Sequence, residues 1–205
     1  MGGMSNHDAS HPYDAQTFDP ETLLGTVVAA GDPDKTLIEP WAGTVNGRIL
    51  DVGSGTGRWA GRLTALGYDV EGLEPAERML DLARQTHPSV PFRRGSIEDL
   101  ADSGEKWAGI LAWYALIHMG PEELPEALAT LRTITKDNGS LLMSFFTGPR
   151  METMEHPVDT AYRWPLPDVT LAVERAGFEV AGTSGGQDSP HAYLLARATV
   201  EPISR

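Results

Sequence analysis

The chain has 205 residues, with 16 Lys plus Arg against 29 Asp plus Glu, so its net charge of −13 repels nucleic acid and anionic lipid and favours small, especially cationic, partners. It has no cysteine, which excludes a disulfide framework, a thiolate zinc site and a thiol nucleophile. Hydrophobic residues make up 40% and charged residues 22%, as in an ordinary globular domain, and no apolar run approaches the ~18 residues of a membrane span.

The opening "MGGMSNHDASHPYD" is polar and lacks the basic-then-apolar order of a secretory signal. The expectation is a flexible lead over 1–16, then a single domain over 17–205 of a cytoplasmic protein. In "DPETLLGTVVAAG" (19–31), apolar residues at 23, 24, 27 and 28 predict a helix that Gly31 ends. "GRILDVG" (47–53) reads as a buried strand, and Trp59, Leu63 and Leu66 mark one face of the helix after it. "YDVEGLE" (68–74) is a second strand, followed by a helix in "PAERMLDLARQ" with Met79, Leu82 and Ala83 on one side. "VPFRRG" (90–95) and "WAGILAWYALI" (107–117) supply a third and a fourth strand.

"GPEELPEALATLRTITKDNG" (120–139) carries Leu124, Leu128, Leu131 and Ile134 at helical spacing, with Gly139 expected at its end. "SLLMSFF" (140–146) is a fifth strand, a helix runs from about Pro167 to Ala176, and "FEVAGTS" and "HAYLLARATV" form a closing hairpin. Alternating strands and helices predict an α/β, Rossmann-like three-layer sandwich with a mainly parallel sheet. The stretch 147–167 is expected to be a long irregular, lid-like insertion.

The densest signal is "ILDVGSGTGRWA" (49–60), where three glycines recur at every second position after a strand that ends in a carboxylate. Ligands of open α/β sheets bind beyond the carboxyl ends of the strands, and glycines there let the backbone come close to them. A dinucleotide fingerprint would need a third glycine at position 58, which is Arg58, and no phosphate-loop G-K-[ST] follows. Asp51 suits a ligand with an ammonium group. Glu74 follows Gly53 at the ~20-residue offset at which a carboxylate takes ribose hydroxyls. Together they describe a nucleoside whose other end is cationic, as in S-adenosylmethionine.

These stretches resemble a known family. "ILDVGSGTGRWA" is similar to the first motif of the class I S-adenosylmethionine-dependent methyltransferases, "VEGLEPAERML" to their second and "RRGSIEDL" to their third. The resemblance implies a seven-stranded sheet whose last strand is antiparallel. It also implies a cofactor site of Asp51, Gly53, Ser54, Gly55, Gly57, Arg58, Trp59, Glu74, Pro75, Met79, Ser96, Ile97, Glu98 and Trp113. In that site the glycines would meet the methionine portion, Glu74 the ribose, and Pro75, Met79 and the 96–98 stretch the adenine. Ser96 stands where the family often has Asp, which leaves Glu98 or Asp99 for the adenine amino group.

Within the family, strand four runs into "LAWYALIHM". It lacks the [ND]-P-P-[YF] of DNA amino-methyltransferases and the strand-end Asp that holds magnesium in catechol-type enzymes. What remains is a metal-independent transfer to a small-molecule O or N acceptor, with S-adenosylhomocysteine as product. His118 and Tyr114 are the catalytic candidates, His118 as the base. Trp113 and Tyr114 serve equally as pocket walls or as core aromatics. Arg150, His156, Tyr162, Arg163 and Trp164 of the insertion are acceptor or lid candidates, and Tyr13 with the first helix would close the opposite side. Two other readings stay open: a non-catalytic S-adenosylmethionine-binding protein and a nicotinamide-dependent oxidoreductase. No nucleic-acid or membrane partner is expected, and the sequence does not choose between monomer and homodimer.

Overall fold

The computed structural model describes residues 11–14, 18–186 and 189–200. Most of the expected lead, 1–10 and 15–16, therefore lies outside the described residues. Its residues 12–14 form a 3-10 turn.

The sheet grows from parallel strands: β1 (Ile49–Val52), β2 (Val70–Glu74), β3 (Phe92–Arg94), β4 (Trp107–Trp113) and β5 (Thr135–Thr147). They lie in the order β3-β2-β1-β4-β5. Successive residues of a strand face opposite sides, and in the central strands both sides are apolar. Leu50, Ile110, Leu141 and Met143 join one core, while Ile49, Leu111 and Leu142 join the other. Such runs need helices on both faces. The first core is covered by α5 (Glu123–Ile134) and α6 (Leu166–Arg175), the second by α2 (Lys35–Thr44) and α3 (Arg58–Ala65).

The closing hairpin forms as expected from β8 (Phe178–Gly186) and β9 (Ser189–Ala198). The last strand is antiparallel to both its neighbours, β5 and β8, and lies between them. These seven strands are the expected frame. The insertion is not wholly irregular: β6 (Glu152–Met154) and β7 (Ala161–Trp164) make a second hairpin, and β7 pairs in parallel with Phe146 and Thr147 at the end of β5. Among the described residues the sheet therefore has nine strands.

Several local expectations are corrected. The helix expected over 19–31 is only α1 (Pro20–Leu24), because Gly25 turns to φ 69° and Val27 is exposed. Helix α2 was not expected; Ile38, Trp41 and Ala42 anchor it despite Pro40 within it. Leu66 is exposed beyond the end of α3. In α4 (Glu77–Thr86) Leu80, not Leu82, joins Met79 and Ala83 in the core. Helix α5 stops at Ile134, and Gly139 lies inside β5 rather than capping the helix.

Candidate active site

The carboxyl ends of β1, β2 and β4 open onto a cavity of about 610 Å3, within the ~300–1,000 Å3 range of small-molecule sites. Every cofactor candidate named from the sequence lines it except Gly57, and both catalytic candidates line it.

The three glycines have three different reasons. All sit at positive φ, 62°, 55° and 76°, a conformation that L side chains rarely adopt. At Gly53 a Cβ would stand 2.8 Å from the Ala115 Cβ, so the loop after β4 excludes it. At Gly57 a Cβ would meet the Phe92 ring at 2.6 Å. Gly57 therefore starts α3 and packs it on β3 and α4 instead of facing the cavity. Only at Gly55 does a Cβ meet nothing closer than 3.7 Å. This is the glycine whose missing side chain leaves the backbone open to a ligand.

Two buried carboxylates frame this turn. One Glu74 oxygen accepts the Gly55 N–H at 2.8 Å and the other accepts the Ala76 N–H at 2.9 Å. Asp51 accepts the Ala60 N–H at 3.1 Å. Burial pushes both carboxyls up to about 7, and the Glu74 charge adds to the effect on Asp51. Each carboxylate retains acceptor capacity beyond these amide bonds. The Ser54 hydroxyl and the Trp59 indole N–H, both buried, have no hydrogen-bond partner among the described residues.

Arg58 pairs with Asp32 at 3.2 Å and with Asp34 at 3.9 Å, fastening the 25–34 loop across the turn. Trp113 donates its indole N–H to Asp34 at 2.8 Å while packing against the α2/α3 core, so it is both wall and core. In the third motif the Ser96 N–H and hydroxyl are both bonded to Asp99. Asp99 thereby closes its own turn, and Glu98 is the carboxylate of the pair that lines the cavity.

Opposite the turn lie two aromatic groups. In the first, His118 Nδ1 is 2.8 Å from the Thr160 carbonyl. A carbonyl only accepts, so Nδ1 carries the proton and the neutral ring's Nε2 keeps a lone pair. Nε2 is 2.9 Å from the Tyr13 hydroxyl, which donates to it. His156 packs edge-on against His118 at 5.0 Å. Burial and the neighbouring His118 lower the His156 value, keeping that ring neutral. In the second group, Tyr114 is the first residue after β4 and takes φ 55°, held by a bond from its N–H to the buried Ser144 hydroxyl at 2.9 Å. Its phenol is 2.8 Å from His191 Nδ1, and burial raises it to about 12, so it remains protonated at neutral pH. Phe146 packs on both Tyr114 and His191.

Of the insertion candidates only His156 lines the cavity. Arg150 and Arg163 both pair with Glu152. Trp164 packs on the α5/α6 core, and the Tyr162 N–H donates to the Ile117 carbonyl, tying the hairpin to the loop after β4. Sequence reading missed His191 and Phe146, and gave Tyr13 only a closing role.

Residues 49–139 match a family described as a methyltransferase domain. A malonyl acyl-carrier-protein O-methyltransferase of Erwinia pyrifoliae is 35% identical over 100 residues, which cover 49% of this chain and 37% of the relative. An uncharacterized methyltransferase of Anoxybacillus flavithermus is 27% identical over 185 residues, covering 90% of this chain and 79% of the relative. The crystal structure of a Burkholderia thailandensis 1,6-didemethyltoxoflavin-N1-methyltransferase, with that compound and S-adenosylhomocysteine bound, matches with a TM-score of 0.67 at 19% identity, over 82% of this chain and 77% of that one. The chain spans about half or less of the length of the first curated relatives it matches. Residues 49–139 thus carry a methyltransferase-domain match, within a chain whose fold is like that of a methyltransferase of known structure.

Proposed function

We propose that this chain is a class I S-adenosylmethionine-dependent methyltransferase that moves a methyl group from S-adenosylmethionine to an oxygen or nitrogen of a small molecule, without a metal, with His118 taking the acceptor's proton. The observation that carries the reading is the pair of buried carboxylates at the ends of neighbouring strands, set beside a glycine turn in which Gly55 has room before it for a ligand. That donor set suits S-adenosylmethionine. Glu74 would accept the ribose hydroxyls, Asp51 would face the amino group, and the unpartnered Ser54 hydroxyl would supply a further polar contact. Pro75, Met79, Ile97 and Glu98 would border the adenine. When bound, the cofactor supplies an electrophilic methyl and a neutral thioether leaving group.

The protein's own work is alignment, exclusion of water and proton acceptance. Alignment alone supplies ~7–11 kcal/mol in such displacements. The acceptor's lone pair forms the new bond to carbon as the carbon–sulfur bond breaks, and the acceptor's proton passes to His118 Nε2. The Thr160 carbonyl fixes the tautomer that puts the lone pair on Nε2, from which Tyr13 must withdraw before the proton arrives. Strand four ends in Trp113, with Tyr114 just after it, rather than in a carboxylate, which supports the metal-independent route. The protonated Tyr114 phenol serves to orient the acceptor instead of acting as a base. The Pro12–Asp14 turn and the β6–β7 hairpin both reach His118, through Tyr13 and through Thr160 and His156, and together act as the lid.

A second reading, binding without catalysis, has one observation in its favour: the Tyr13 hydroxyl occupies the base's lone pair. Incubation with methyl-labelled S-adenosylmethionine and a panel of small acceptors separates the two. Labelled product supports transfer. Tight cofactor binding with no product from any acceptor supports the second reading.

A further inference from the structure

Resting on the methyltransferase reading, we infer that the acceptor is an uncharged, planar aromatic or heteroaromatic molecule bearing a hydroxyl or ring N–H, held between the Tyr13–His118–His156 wall and the Tyr114–Phe146–His191 wall.

The charge inventory comes first. Of the Lys and Arg residues, the only one lining the cavity among the described residues is Arg58, and it is committed to Asp32 and Asp34. A carboxylate or phosphate on the acceptor would be desolvated with no uncommitted Lys or Arg to compensate it, a severe cost. A cationic acceptor fares no better. Glu123, a cavity carboxylate, already accepts the Gly120 N–H at 2.8 Å, while Asp51 and Glu74 flank the glycine turn and Glu98 lies in the third motif, all three taken by the proposed cofactor. An ammonium would also enter beside the sulfonium's positive charge.

Shape and hydrogen bonding then narrow the class. Tyr114 stacks at a tilt on Phe146, with centroids 5.3 Å apart, and lies edge-on to His191 at 5.8 Å. Tyr13 and His156 each stand edge-on to His118, at 5.6 and 5.0 Å. Both walls line one cavity, and ring faces and edges of this kind favour another ring over a flexible aliphatic chain. Their polar atoms are mixed. His156 Nδ1 accepts the Val158 N–H, leaving its Nε2–H as a donor, whereas His118 Nε2 is an acceptor. A ring carrying both a donor and an acceptor matches that pair. An aliphatic hydrocarbon does not.

The test uses the whole protein saturated with S-adenosylhomocysteine, whose own binding is measured first by calorimetry. Four probes of similar size follow: 2-naphthol, 2-naphthoate, 2-naphthylmethylammonium and decahydro-2-naphthol. The expected result is 2-naphthol binding at least tenfold tighter than each of the others. His191→Ala, a change at an exposed position, should weaken 2-naphthol by about two- to tenfold, the worth of one aromatic contact, and leave S-adenosylhomocysteine affinity unchanged. Preference for the carboxylate, the ammonium or the saturated alcohol overturns the inference, as does failure of 2-naphthol to bind the loaded protein. If S-adenosylhomocysteine itself does not bind, the methyltransferase reading has failed instead, and the calorimetry reveals that before any probe is added.

Discussion

The Tyr13 hydroxyl donates to Nε2 of His118 at 2.9 Å across 105 positions of the chain, so a residue of the N-terminal turn sits on the lone pair that the proposed chemistry requires. In that account Tyr13 holds the place of the acceptor's O–H or N–H and yields it on binding. Tyr13→Phe keeps the ring and removes the competing donor. The expected effect is a KM for the acceptor lowered by about two- to tenfold, the net worth of one hydrogen bond, with kcat within about twofold of the parent. A fall in kcat of a hundredfold or more would instead put the Tyr13 phenol in the proton path.

His118→Ala should lower kcat by ~10²–10⁴-fold with S-adenosylhomocysteine affinity nearly intact, the signature of a group needed only in the transition state. His118→Gln separates base from scaffold, since an amide can still hold a hydrogen bond but cannot take a proton at neutral pH. Full activity in either variant on a confirmed acceptor removes His118 from the chemistry.

Glu74 ties the glycine turn to the start of α4 through the Gly55 and Ala76 amides. Its removal therefore has two consequences. Glu74→Ala should weaken S-adenosylhomocysteine binding at least tenfold, from lost charge-assisted bonds of ~1.5–3 kcal/mol each, and should also lower Tm because two buried amides lose their acceptor. Unchanged affinity in calorimetry would put the ribose elsewhere.

Because burial raises the Asp51 and Glu74 carboxyls to about 7, the free folded protein holds more protons than the unfolded chain between about pH 4 and 7. By linkage its stability falls as pH rises through that window. A bound ammonium and hydroxyl donors favour the ionised carboxylates, so the stabilisation by saturating S-adenosylhomocysteine should be larger at pH 8 than at pH 5.5. Thermal melts at the two pH values, with Asp51→Asn/Glu74→Gln as the control for the −13 net charge, measure both. A ligand-induced shift that is equal at both pH values would leave these carboxylates out of cofactor binding.

Gly55 and Gly57 share a backbone conformation but not a neighbourhood. Gly57→Ala drives a methyl into Phe92 and should chiefly lower Tm. Gly55→Ala places its methyl in the cavity and should chiefly lower S-adenosylhomocysteine affinity. The opposite pattern, read by melting and calorimetry on the same samples, would mean that the ligand approaches the turn at Gly57.

The glycine-turn end of the cavity was legible because its constraints are local: a strand, a turn that needs positive φ and a carboxylate at a fixed offset all fall within one βαβ unit, 49–74. Even there Gly57 misled, since its packing against Phe92 depends on β3, 35 residues away. Helix α2 was hidden because Pro40 interrupts the pattern that Ile38 and Trp41 carry, and the span after α1 was over-read because Val27 and Val28 imitate helical spacing past Gly25. The acceptor end is assembled by long-range pairing. His191 reaches Tyr114 only because β9 inserts beside β5 with His191 opposite Phe146, a register that no local pattern announces. Thr160 likewise meets His118 through the hairpin that the sequence read as irregular.

The central claim is that the turn between β1 and α3, with Asp51 and Glu74, holds S-adenosylmethionine for methyl transfer. Calorimetric titration of the unmodified protein with S-adenosylhomocysteine, and separately with NAD, tests it most directly. The account predicts one S-adenosylhomocysteine bound per chain, with NAD showing no saturable heat. Saturable NAD binding with none for S-adenosylhomocysteine would contradict it.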